Sequence, residues 1–499
     1  MSTAVQQYVL MPFRGMRAAA GANLPATLSF LSNHQSGRFS ARSLDSLSAR
    51  GGAHPVKVLD SLHEDGAKLV EATPEAIMVL RATQPGVRVV PVVYYQPAVA
   101  PRPTVASRPS TAAGTVSSKV TLTILAKKTK TPVVGATVVA FLDFAQRIGD
   151  QGTTNSQGQV SLRLGGGSAK LQRLYVFPEL GFWGLLKKNV TVSSGDKFSL
   201  QPLDPNYLDG VRHFYGDSDL AHGTGVTVGV VDSGVDTNHP DLRVAGGLNT
   251  VQGEQPTDFG DNGSHHGTHV GGIIAARGTS PSGRLGIAPS VTLRSYRVFG
   301  QNAKGASNFA IAKAIDSAVA QGCDLINMSL GGGDPDVLTQ TAIADARSAG
   351  TLVIIAAGND DRSPVSFPAR EARAVAISAL GRKQTFPTSS SESGDVAKPF
   401  GKDKKNFIAA FSNIGPEIDL AGPGVGIVST VPGGYTPLSG TSMACPAVTG
   451  FAARLLSGQP AILNMARDQS RSDAMGQALF AAAKDLGFVP DFQGHGLPM

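Results

Sequence analysis

Four residues of this 499-residue chain have the types and settings that acyl-transfer chemistry needs. Asp232 follows the apolar run 226–231, and His266 opens the segment His-Gly-Thr-His-Val-Gly-Gly. Asn359 closes the run 352–358, and Ser442 stands in Gly-Thr-Ser-Met-Ala-Cys-Pro, ahead of an apolar helical stretch. An imidazole can take the proton of a hydroxyl while a buried carboxylate fixes its tautomer and stabilises its charge. An Asn amide beside the Ser backbone N–H offers two donors to a tetrahedral oxyanion, and losing one such donor costs about 3 kcal/mol of transition-state stabilisation. Ser442 begins a helix, where free N–H groups and the helix dipole favour negative charge. Taken singly, each residue has a plainer role. A Ser at a helix start is usually an N-cap, an Asp after a strand often caps a helix, and a lone His is usually structural.

The elements that must hold these residues follow from the apolar pattern. From residue 206 onward, strands at 226–231, 291–299, 325–330 and 352–357 are apolar enough to be buried on both faces, with helices at 307–321 and 335–349 between them. That alternation predicts an α/β catalytic domain with a doubly wound, mostly parallel sheet. Ligands in such domains bind beyond the carboxyl ends of the strands, where the polar residues named above lie. Pro446 fits the helix after Ser442 only in its first turn, where a missing N–H costs nothing.

Two units precede this domain. Residues 1–97 read as a small α+β domain: a strand at 8–12, a loose polar stretch at 32–52, a short helix at 56–63, a strand at 68–72, a helix at 76–83 capped by Thr73-Pro74-Glu75, and an extended run at 87–95. Pro91 marks that run as an edge strand or an exposed tail. Residues 98–116 form a stiff Pro-rich linker, and 117–205 carry short alternating strands of a β-sandwich with Trp183 as a core aromatic. The catalytic unit spans 206–499.

Composition excludes several functions. A net charge of +7 without a dense Lys/Arg block points to no nucleic acid as partner. No apolar run approaches the roughly 20 residues a membrane span needs, so no membrane partner is expected. Cys323 and Cys445 are the only cysteines, read as two buried thiols with no cluster for zinc. His266 and His269 stand three apart without a third ligand, so no metal is assigned. The apolar core near the N-terminus, residues 8–11, is too short for a secretory signal. The expected localisation is cytoplasmic, although non-standard export is compatible with the same sequence.

The blocks Val-Asp-Ser-Gly-Val-Asp-Thr-Asn-His-Pro-Asp-Leu (231–242), His-Gly-Thr-His-Val (266–270) and Gly-Thr-Ser-Met-Ala-Cys-Pro (440–446) closely resemble the three signature blocks of subtilisin-like serine peptidases, the subtilases, in the family's order. The resemblance covers 206–499 and implies a serine endopeptidase acting through an acyl-enzyme. It assigns Asp232, His266 and Ser442 to the triad, and Asn359 with Ser442 to the oxyanion hole. His266 rather than His265 starts the motif, and His269 falls on a structural position. Ser329, Leu330 and Gly331 match the segment that pairs with substrate backbone, and 305–307 fall near the opposing edge. Ser366 aligns with the pocket for the side chain before the scissile bond and makes it shallow; Asp360, at its rim, favours a basic side chain there.

Where the family's calcium site uses an Asn-rich loop with an Asp matching Asp241, this chain has Arg-Gly-Thr-Ser-Pro-Ser-Gly-Arg (277–284). Oxygen-rich coordination is impaired there, and no cofactor is assigned. Residues 381–406 read as a polar, exposed insertion. Residues 1–97 are similar to the family's inhibitory propeptide, which implies a zymogen whose own N-terminal domain is an intramolecular inhibitor, cleaved near 92–96. The same triad also serves a transpeptidase or macrocyclase, in which an amine replaces water, and a catalytically silent protein-binding module is the non-enzymatic alternative.

Overall fold

The structure, a computed structural model, describes residues 4–19, 23–41, 54–109, 119–216, 219–279 and 283–499. The sequence expectations for 110–116, and for part of 32–52 and of 277–284, lie outside these residues.

The catalytic sheet runs Val244–Asn249, Thr292–Arg297, Thr227–Asp232, Leu325–Met328, Leu352–Ala356, Val375–Arg382 in spatial order, all parallel, with Asn406–Ile408 added antiparallel at the edge. Its strands bury both faces because successive side chains alternate sides. Val228, Val230 and Ile354 face the helices His266–Ala275 and Thr441–Ser457. Val231, Val353 and Ile355 face the helices Asn308–Ala320 and Val337–Ser348. This is an α/β fold of the doubly wound kind.

The helix that carries Ser442 corrects one expectation. Pro446 lies in its interior, beyond the first turn. The proline has no N–H for the Ser442 carbonyl four residues back. That carbonyl instead accepts a hydrogen bond from Ser329 Oγ at 3.0 Å. A side chain at the end of a neighbouring strand thus satisfies the group that the proline leaves open.

At the N-terminus, five antiparallel strands stand in the order Gly37–Ala41, His54–Ser61, Lys68–Ala72, Gln6–Pro12, Val87–Pro91. The helix Pro74–Thr83 is capped by Thr73, whose Oγ1 accepts from Ala76 N at 3.3 Å. The segment 56–63, expected to be helical, is mostly strand. Val56 and Val58 are both buried, with Lys57 between them, a period of two that a three-stranded neighbourhood rewards. A further helix, Pro25–Asn33, went unread in the sequence although Pro25 occupies its first turn. One face of the sheet, with Leu10, Val70 and Leu80, is its own core. The other, with Val9, Met11 and Leu69, packs on the outer catalytic helices. Polar ties at that contact are Lys313 to Asp60 at 2.7 Å, His63 to Asp316 at 2.7 Å, and Met16 N to Asp345 Oδ2 at 3.0 Å.

Residues 119–200 form two facing sheets, one of three strands and one of four, around Val120, Leu122, Leu162, Leu171 and their neighbours. Trp183 is buried against the catalytic core, 4.8 Å from Tyr207, rather than inside this sandwich. The stretch 381–406 brings another correction. It is not an exposed insertion: Leu186 N of the sandwich donates to Ser389 O at 2.8 Å, and Ser390 and Glu392 are buried. It is the platform on which the sandwich sits.

Candidate active site

Asp232 ends one parallel strand, Asn359 follows another, and the helices of His266 and Ser442 pack side by side on one face of the sheet. His266 Nδ1 lies 2.7 Å from Asp232 Oδ1, with His266 4% and Asp232 0% exposed. His265, by contrast, is the left-handed N-cap of that helix, and its side chain is half exposed. His269 sits one turn on, fully buried, its Nε2 within 3.1 Å of both Ile427 O and Thr436 O. Burial drives its pKa down to about 3, only partly countered by those carbonyls, so it is a neutral donor in the frame.

Three buried polar atoms converge here without partners: Asp232 Oδ2, His266 Nε2 and Asn359 Nδ2. Asn359 is held from its other end, its Oδ1 accepting from Thr441 N at 2.8 Å and Thr441 Oγ1 at 3.1 Å. Its amide nitrogen is therefore presented and unused. Leaving buried donors unpaired costs about 1–3 kcal/mol each, a cost that native structures tolerate mainly where function needs the group.

The chain itself fills the cleft. The strand Tyr94–Pro97 lies antiparallel between Ala306–Ser307 and Leu330–Gly331, with Tyr95 opposite Ala306 and Gln96 opposite Gly331. One residue on, Ala98 N donates to Ser329 O at 2.9 Å, and Ala98 O accepts from Ser442 N at 3.1 Å and from Ser442 Oγ. Ala100 N then donates to Ser439 O at 3.0 Å.

Ser329, Leu330 and Gly331 thus contact backbone. Ser366 Oγ donates to Ala357 O at 3.0 Å and crowds Gly331 and Gly358, where an added Cβ would come within 3.1 and 2.6 Å of it. Ala98, whose N–H is on Ser329 O, is buried. Asp360 is engaged by Asn413 Nδ2 at 2.9 Å. Sequence reasoning missed the pocket that holds Tyr95, which is fully buried, its hydroxyl bonded to Asp334 O at 3.0 Å and to Asp336 Oδ2, its ring 5.9 Å from Phe367. Gly333 makes room, since a Cβ there would lie 2.5 Å from that ring.

Asp241, implied by resemblance to be a calcium ligand, has its oxygens in use. Oδ1 accepts from Thr279 N at 2.7 Å, and Oδ2 from Arg284 N at 2.9 Å and Tyr435 OH at 2.6 Å. Burial pulls its pKa upward, but these donors outweigh it and hold the carboxyl below its ordinary value. Arg284, 4% exposed, reaches Pro205 O at 2.7 Å and Asp209 at 2.5 Å. A calcium cage takes six to eight oxygens. Among the described residues, N–H and O–H donors take up the Asp241 oxygens, and the Arg284 guanidinium takes up Pro205 O and Asp209. Among the described residues, no cluster of three or more His, Cys, Asp or Glu side chains is placed to hold a metal. No helix among them is long and apolar enough to cross a membrane.

Comparison with known proteins follows the same lines. Residues 223–496 match the subtilase family. Subtilisin BL of Lederbergia lenta is 39% identical over 244 residues, 49% of this chain and 80% of that protein. Subtilisin NAT of Bacillus subtilis subsp. natto is 39% identical over 258 residues, 50% of this chain but 61% of its own length. Subtilisin of Bacillus pumilus is 39% identical over 258 residues, 84% of its length. The chain belongs to the subtilase family of serine endopeptidases.

Proposed function

We propose that Ser442, His266 and Asp232 hydrolyse peptide bonds through an acyl-enzyme, and that the first bond cut is the chain's own Ala98–Val99. His266 Nε2 takes the Ser442 Oγ proton as Oγ attacks the Ala98 carbonyl carbon. Asp232 holds Nδ1–H and stabilises the imidazolium. The oxygen of Ala98 becomes an oxyanion and receives the Ser442 N–H and the unused Asn359 Nδ2–H, a donor whose full bond forms only in the transition state. His266 then gives its proton to Val99 N, the C–N bond breaks, and water attacks the acyl-Ser442.

The observation that carries this reading is the Ala98 peptide itself, with its carbonyl on Ser442 N at 3.1 Å and its N–H on Ser329 O at 2.9 Å. Residues 1–98 then act as an intramolecular inhibitor: the sheet anchors on the outer helices and the strand 94–97 fills the substrate groove. The cut falls after the stretch 92–96 that the sequence suggested. Polypeptide is the substrate class. A fluorophosphonate probe on processed protein tests the nucleophile. Labelling of Ser442, lost in His266→Ala, is expected; an unlabelled Ser442 in processed protein overturns it.

A further inference from the structure

Beyond Ala98 the chain does not leave the cleft. Residues 99–104 and 106 line a cavity of about 470 Å³ whose other walls come from the sandwich and the catalytic domain. They are held at one end by Ala100 N on Ser439 O at 3.0 Å, and at the other by Ala106 N on Arg147 O at 2.9 Å and Gly149 N on Ser107 O at 3.0 Å. Pro101 and Pro103 between these anchors keep the segment extended and have no N–H to offer, so side chains decide how it is held. Arg102 is the side chain in the middle, its guanidinium carbon 4.9 Å from the centre of the Phe177 ring. Phe177 stacks on Tyr175 at 5.6 Å, a flat apolar wall on the sandwich side.

The catalytic side of the cavity is acidic. Glu392 is 7% exposed; its Oε1 accepts from Ser391 Oγ at 2.9 Å, and its Oε2 is buried with no hydrogen-bond partner. Asp395 lies next to it, and burial together with the Glu392 charge raises its carboxyl well above the ordinary range. Neither carboxylate makes a salt bridge among the described residues. Of the two other cations on the lining, Arg173 lies 3.5 Å over Phe144 and donates to Tyr175 OH at 2.9 Å, and Arg147 lies 4.3 Å over Phe144 with its Nη1 buried and without a hydrogen-bond partner. Glu392, Phe177 and Tyr175 line the same cavity as the partly exposed Arg102, and a buried carboxylate without a salt bridge together with an aromatic wall suits a planar cation.

We propose that sandwich and catalytic domain together form a subsite for a basic side chain, Arg above all, four residues after the scissile bond, with Arg102 as its resident occupant. The subsite rests on the reading of Ala98–Val99 as the cleaved bond. It gives the sandwich a part in choosing substrates: polypeptides with an extended segment and a cation beyond the cut.

Two measurements test it. In the full chain, cleavage of Ala98–Val99 is expected to slow about fivefold in Arg102→Ala, further in Arg102→Glu, and little in Arg102→Lys, from the loss of the cation–π contact and of attraction to the nearby Glu392 charge. In trans, processed Arg102→Ala enzyme, whose own side chain no longer competes, is given peptides Tyr-Gln-Pro-Ala-Val-Ala-Pro-Xaa. kcat/KM should fall in the order Arg, Ala, Glu, and Glu392→Gln should lower the Arg-to-Ala ratio, leaving only the part that the Phe177 ring supplies. Equal cutting of the three peptides at Ala-Val overturns the subsite and leaves the protease reading standing. Absence of any cut at Ala-Val, in the chain and in the peptides, overturns both.

Discussion

The backbone N–H of Ser442 donates to the carbonyl oxygen of Ala98 at 3.1 Å, across 344 residues of sequence. That contact places a peptide bond of the chain on its own candidate nucleophile. The Ser442 hydroxyl points to the same oxygen, and His266 Nε2 has no partner. The relay is complete at its carboxylate end and unengaged at its hydroxyl end, a ground state in which the proton has yet to be handed over.

Asp232→Asn should lower kcat about 10⁴-fold with little change in KM, because an amide cannot hold the tautomer that leaves Nε2 free to act as base. Asn359→Ala should lower kcat about 10²- to 10³-fold, the usual loss for one oxyanion donor. Steady-state kinetics on a peptide amide check both; an effect confined to KM would contradict these roles.

A Ser at 366 is expected to make the pocket for the side chain before the cut shallow. Ala98→Phe should slow self-cleavage, and Ser366→Gly should restore it in the double variant. The band ratio on a gel over time reads this. If Ala98→Phe is processed as fast as wild type, the pocket is not shallow.

Arg284 and Asp209 form a buried pair, 4% and 0% exposed, next to Asp241. Arg284→Ala leaves a buried carboxylate unpaired and should cost about 3 kcal/mol or more of stability. A chelator should leave the melting temperature of the Ser442→Ala chain unchanged. A fall on chelation would show that a metal, not the guanidinium, supplies the charge.

His269 titrates near 6.5 when unfolded but near 3 when folded, because burial disfavours its charge. The unfolded chain therefore binds a proton that the folded chain refuses. This contribution favours folding fully above pH 6.5 and is lost as pH falls toward 3, by up to about 1.4 kcal/mol per pH unit. In the Ser442→Ala background, the urea midpoint should fall between pH 7 and pH 5, and less steeply in His269→Gln. Equal slopes would contradict a neutral His269.

What was legible in the sequence was local. Apolar strands, the Thr73 cap and the three signature blocks can each be read from a window of about ten residues. What was not legible depended on distant partners. Residues 381–406 are polar because they meet Leu186 and Gly184 of another unit through backbone and hydroxyl groups, which in sequence looks the same as meeting water. Pro446 could be placed only in a first turn until Ser329 was known to bond the carbonyl it frees. The Pro-rich stretch from residue 98 read as a spacer, since prolines mark stiffness and say nothing of the groove that holds them.

The account turns on one bond. N-terminal sequencing and intact mass of the wild-type product, run beside Ser442→Ala, test it most directly. A new N-terminus at Val99 in wild type and an uncut chain in Ser442→Ala are the predicted results. An active wild-type chain with residues 98 and 99 still joined, or cleavage at Val99 that persists in Ser442→Ala, would contradict it.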